Sequence, residues 1–461
     1  MATTTPPHHE PDGNFTAEEI AVLHQAGLIS DPLPGGKRKA SVSLTSPPTS
    51  HGSWSSGSSS SPVASIRIKR RPIDAGDQTF EFPTSEESVA ALEFMGFNNE
   101  VATEIHARFV ARSDPDQNPD SILDYAKSFI REIDPYENLP DSEALSLMGI
   151  NSYLQAVFTD PQHADMMRTE TLHYWVCDTL RLNYLTISEL HDRCHRFVER
   201  GRPSKKKARK SLSETTNLYQ PPQSQGESSS AQTQRPVTTE PRYLDRVQLP
   251  EGCVYDEGSY TVLPDHYVLY KAQASCEVGR YFLQAAGNVG IKSIARSSGG
   301  DFNYVNDAWY FTLEQATAEE YRAWAALRCP KSETWIIRIQ VPKTFIASLR
   351  MEYLWYGADW KNYVWHCKQK FIPPQRFDRL WQNTDLIKGH ICSALPSKIE
   401  RISREDIQDS MTPDSVLKLP NSRQKCTQWA FMHVSVAMRL AEEIQGKVQI
   451  EITPPKWEET S

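Results

Sequence analysis

The sequence predicts a multidomain chain: a small all-α helical region followed by an α+β domain, with a tail and a linker that lack regular structure. Three observations predict it. Apolar residues recur at helical spacing from residue 84 onward. Strand-type runs alternate with helical stretches from residue 243 to the end. Two Ser-, Thr- and Pro-rich stretches, 1–79 and 201–242, carry too few apolar residues to pack.

Composition bounds what such a chain does. At 461 residues it has room for two or three domains. Its 39% hydrophobic content and 31 prolines place part of it outside any core. The net charge of −8 argues against nucleic acid as a main partner. No stretch approaches the roughly 18 apolar residues of a membrane span, and the opening MATTTPPHHEPDG has no apolar signal core. The eight cysteines are scattered without a CxxC pair, which speaks against both a zinc module and a disulfide framework. The expectation is an intracellular protein of nucleus or cytoplasm.

In chain order, residues 1–79 read as a disordered tail, with one short helical signal at 16–28, where Thr16 and Glu19 form a capping box. A second box, Thr84 with Glu87, opens a helix carrying Val89, Leu92 and Met95. Met95-Gly96-Phe97 breaks it; Val101, Ile105 and Phe109 carry a second helix, and Ile122, Tyr125, Phe129 and Ile130 a third. Residues 133–200 extend the helical region, and Leu147-Met148-Gly149-Ile150 echoes the earlier break. The stretch 201–242 is a basic linker whose Lys205–Lys210 run, KKKARK, is a candidate nuclear-import address or polyanion contact, with Lys69-Arg70-Arg71 a weaker second.

In the domain at 243–461, residues 267–271 and 335–341 read as strands, 434–445 as a helix ended by Gly446, and 448–452 as a last alternating strand. Trp309-Tyr310-Phe311 is a strand-type run. Thr312 stands three before Gln315, a capping box for a helix on which Tyr321 lies about three turns along. Residues 353–365, rich in Trp and Tyr, read as a packed insertion. No HExxH, Rossmann glycine run, phosphate loop or Gly-x-Ser-x-Gly elbow is present.

Two resemblances follow from these residues. The three short helices with Met95, Gly96 and Phe97 at the first turn resemble a ubiquitin-associated domain over residues 80–132. That family uses this loop and the end of its third helix to meet ubiquitin, which makes ubiquitin an expected partner. A helical bundle using the same residues only as core is the alternative.

Tyr310-Phe311-Thr312, with Tyr321 eleven residues after Tyr310, resembles the nicotinamide pocket of the ADP-ribosyltransferase fold in its poly(ADP-ribose) polymerase-like branch. There two such tyrosines sandwich the nicotinamide of NAD, and a flat, partly cationic ring suits a slot between two π faces. The family's first motif closes a strand with a His or Arg that holds the ribose; Leu269-Tyr270-Lys271-Ala272 stands here, so Lys271 replaces it. The family's catalytic Glu sits on a strand before an apolar helix; Gln428 in Gln428-Trp429-Ala430-Phe431 takes that place. The resemblance implies catalytic roles for Gln428 and Lys271 and NAD contacts for Tyr270, Tyr310, Thr312 and Tyr321. Breaking the nicotinamide–ribose bond passes through an oxocarbenium-like state. A Gln hydrogen-bonds the ribose but brings no charge. Two functions stay open: mono-ADP-ribosyl transfer from NAD to a protein acceptor, or a non-catalytic adapter.

Overall fold

The computed structural model describes residues 13–44, 66–71, 79–112, 119–133, 139–201, 253–255, 261–284, 287–394, 399, 401–420 and 422–455. Helices and sheets are mixed throughout. Helix α1 (Ala17–Gln25) leads into strands β1 (Ile29–Leu33) and β2 (Lys37–Ser41), then β3 (Ile66–Arg70) and β4 (Thr79–Pro83). The helical region comprises α2 (Val89–Met95), α3 (Asn99–Val110), α4 (Ile122–Glu132), α5 (Asp141–Leu147), α6 (Ser152–Thr159), α7 (Ala164–Met167) and the 30-residue α8 (Leu172–Gly201). Next come β5 (Cys253–Tyr255), β6 (His266–Ala274), α9 (Ser275–Phe282), β7 (Trp309–Phe311), α10 (Gln315–Arg328) and β8 (Thr334–Pro342). The remainder runs α11 (Lys343–Ala347), β9 (Met351–Leu354), α12 (Ala358–Gln369), β10 (Leu386–His390), α13 (Ile407–Ser410), β11 (Thr427–Phe431), α14 (Val434–Glu443) and β12 (Val448–Thr453).

The tail expected at 1–79 is a correction over its described parts. The Thr16–Glu19 capping box forms and α1 buries Leu23. Strands β1, β2 and β4 make a three-stranded sheet; Phe82 of β4, with Phe15 and Leu28 from the segments flanking α1, shares one core with Leu190, Cys194 and Val198 of α8. These apolar residues are thinly spread among Ser and Pro, and their partners lie far along the chain, so local composition gave no sign of burial. Strand β3 crosses to the C-terminal part and pairs in parallel with both β12 and β5. The run Lys69-Arg70-Arg71 is therefore structural: Arg70 pairs with Glu333 at 2.6 Å, and Arg71 pairs with Glu319 and Glu451. The Lys205–Lys210 run lies outside the described residues.

Two helical hairpins of like design stand at the heart of the helical region. Asn98 caps α3 by accepting from Val101 N at 2.9 Å, and Asn151 caps α6 by accepting from Leu154 N at 3.0 Å. The two turns then clasp: Asn98 N donates to Gly149 O at 2.7 Å and Asn151 N to Gly96 O at 2.9 Å. The Thr84–Glu87 box is a correction. Ser88 caps α2 instead, while the Thr84 hydroxyl donates to Gly36 O and ties the β4 exit to the β2 turn.

Two further sheets organise the C-terminal part, ordered β5-β3-β12-β8-β6 and β7-β11-β10-β9. They meet at edges β6 and β7, where Tyr270 N donates to Thr312 O at 2.8 Å and Thr312 N to Tyr270 O at 2.9 Å. Their shared core holds Leu269, Trp309, Phe311, Ile337, Trp429 and Ile450. Among the described residues no helix is long and apolar enough to cross a membrane.

Candidate functional site

The junction of the two sheets places six side chains around one cavity of about 220 Å³: Tyr270, Lys271, Tyr310, Thr312, Tyr321 and Gln428. Strand periodicity explains the arrangement. Tyr310 lies opposite Ala430 in the β7–β11 ladder, so Gln428, two residues before Ala430, shares the face that Tyr310 and Thr312 present. Trp309, Phe311, Trp429 and Phe431 take the other face and enter the core. On α10, Ala318 and Tyr321 line the cavity at helical spacing. Thr312 does not cap this helix. Its hydroxyl donates to Glu314 Oε2 at 2.5 Å, and Glu314 N donates back to it, a local turn that competes with the expected box.

Tyr310 is held by hydrogen bonds, whereas Tyr321 is held by packing against the helical core. The Tyr310 hydroxyl donates to Asn303 Oδ1 at 2.7 Å and accepts from Phe302 N at 2.9 Å. Gly300 is needed beside it, because a Cβ there would sit 2.3 Å from Asn303 Oδ1 and 2.9 Å from the Tyr310 hydroxyl. The Tyr321 hydroxyl has no hydrogen-bond partner among the described residues. Burial holds both phenols well above their ordinary pKa, with the Asp301 charge adding to the rise, so both rings stay neutral. Lys271 likewise lacks a hydrogen-bond or ion-pair partner among the described residues. Burial pushes its ammonium down to about 8, with Glu277 pulling the other way and Arg296 adding to the fall.

Sequence reasoning missed the charged wall. Lys368 Nζ bridges Asp301 at 3.1 Å and Glu170 at 3.2 Å. Burial disfavours that ammonium, yet the two carboxylates outweigh it and raise its pKa. Arg296 pairs with Glu170 at 2.8 Å and donates to the Tyr174 hydroxyl. Three cations, Lys271, Arg296 and Lys368, thus face two carboxylates around the cavity. Glu170, Tyr174 and Trp175 come from the α7–α8 region, so the helical part supplies one wall. Asp301 follows Gly299-Gly300, eight residues ahead of the Tyr310 strand, and belongs to no motif that would have marked it.

The expected ubiquitin contacts fare differently. Met95 and Phe97 are 0% and 1% exposed, and Gly96 is locked against the second hairpin turn. The clasp consumes the surface that a ubiquitin-associated domain offers, so Met95, Gly96 and Phe97 serve as core here. Comparison with family models, curated proteins and solved structures gives no match to this chain.

Proposed function

We propose that the chain is an NAD-dependent mono-ADP-ribosyltransferase that transfers ADP-ribose to a protein side chain. One observation carries this reading: Tyr310 and Tyr321, from a strand and the helix after it, line the same cavity as Lys271 and Gln428. The nicotinamide ring stacks between the two phenol rings. The bond from the ring nitrogen to ribose C1′ breaks and its electron pair leaves with nicotinamide. An acceptor nucleophile then bonds C1′ and releases its proton to water. Gln428 accepts from a ribose hydroxyl, and Lys271 donates to a ribose or carboxamide oxygen. The cavity is smaller than the roughly 300–1,000 Å³ of typical small-molecule sites, so it takes the nicotinamide and ribose and leaves the adenosine half outside.

A second reading is favoured by Gln428 itself, which offers no negative charge to the forming cation: the domain binds NAD without turning it over. Calorimetry with NAD and an assay of nicotinamide release separate the two. The transferase reading expects binding and release by the wild type, with Tyr310→Ala and Tyr321→Ala each weakening binding about tenfold or more through the lost stacking. Binding without release favours the second reading. Absence of both overturns the NAD assignment.

A further inference from the structure

Gln428 replaces an acid, yet a carboxylate lies against it. Gln428 Nε2 donates to Asp301 Oδ2 at 2.6 Å and to His390 O at 3.3 Å. Both side chains are 6% exposed. Asp301 is held from two further directions: Oδ2 accepts from Cys392 N at 2.8 Å, and Oδ1 faces Lys368 Nζ at 3.1 Å. Which end of an amide is nitrogen must be read from its neighbours. Here both neighbours on one side are acceptors, a carboxylate and a carbonyl, so the nitrogen points at them. The flipped amide would set oxygen against oxygen twice in a buried place. Gln428 lines the cavity, and its Oε1 has no hydrogen-bond partner among the described residues.

We propose that Asp301 is the positioning residue of this site: it locks the Gln428 amide with Oε1 toward the cavity and polarises it. Donation to a carboxylate shifts electron density within the amide toward its carbonyl oxygen, which makes Oε1 a stronger acceptor. The ligand must therefore present an O–H or N–H donor at β11. The Asp301–Gln428 pair divides between a loop and a strand the task that one acidic side chain performs elsewhere. The proposal rests on the transferase reading for the identity of that donor, a ribose hydroxyl.

The test is a double-mutant cycle in the full-length chain, read by NAD binding, nicotinamide release and melting temperature at pH 7. Asp301→Asn removes the anchoring charge, and Gln428→Ala removes the amide it anchors. Each single change is expected to lower release about tenfold or more, the scale of one charged hydrogen bond. If Asp301 acts through Gln428, the double variant D301N/Q428A releases nicotinamide no more slowly than Gln428→Ala. If Asp301 only neutralises Lys368, its substitution lowers release by the same factor in both backgrounds and the proposal falls. Non-additive melting temperatures with additive losses of release overturn the role assigned to the pair. If the wild type neither binds nor cleaves NAD while the melting temperatures are non-additive, the transferase reading fails and the pairing stands.

Discussion

Lys271 shows how one side chain serves a site at a cost to the fold. Its folded pKa of about 8 lies below the ordinary value of 10.5. Between those values the unfolded chain holds a proton that the native state has lost, so stability rises with pH across that window. Below pH 8 both states are protonated and the burial penalty is constant. Lys271→Met is therefore expected to raise the melting temperature at pH 7 by roughly 1–2 °C per kcal/mol relieved, with the gain shrinking as pH climbs from 8 toward 10.5. On the proposed NAD reading, affinity of the wild type should fall as pH rises through about 8, and that dependence should vanish in the variant; calorimetry across pH 6.5–9.5 checks both. Lys271 and Gln428 were named from the sequence through a resemblance, and both line the cavity. Asp301, Glu170 and Lys368 were not, since only folding brings a loop, a helix start and the end of α12 to one wall.

The two clasped turns carry the argument at the level of elements. The repeated Met-Gly-apolar-Asn signal was visible in the sequence, and both glycines mark helix breaks as expected. Their mutual pairing was not visible, because a resemblance based on one turn assigns its apolar residues to a free surface. Gly149 has φ +68 and lies against Val101, whose side-chain carbons stand 2.3–2.8 Å from where a Cβ would be. Gly149→Ala is expected to cost about 1–3 kcal/mol from backbone strain and overpacking, measured by urea unfolding. Gly27 and Gly36, also at positive φ but with nothing near, lack the steric part of that penalty. Several strand and helix positions in the C-terminal part were read correctly from alternation and from Gly446. The caps at Thr84 and Thr312 were misplaced because each hydroxyl finds a nearer partner.

Across the whole molecule, the domain boundary expected near residue 243 divides what folds together. Ile66 and Ile68 of β3 are buried in the same core as Leu269 and Ile450, and the helical region walls the cavity. Ile68→Ala should cost about 2–5 kcal/mol, where a change in a disordered tail would cost nothing; thermal unfolding decides between them. The position of β3 also bears on how the protein is made. Its two neighbours, β5 and β12, both come later in the chain, and Arg67 meets Gln449 across roughly 380 intervening residues. At about 5–20 residues per second on the ribosome, that wait is roughly 20–80 s. Until β12 emerges, a nascent β3 leaves two isoleucines and an edge exposed to solvent, the kind of surface that chaperones cover.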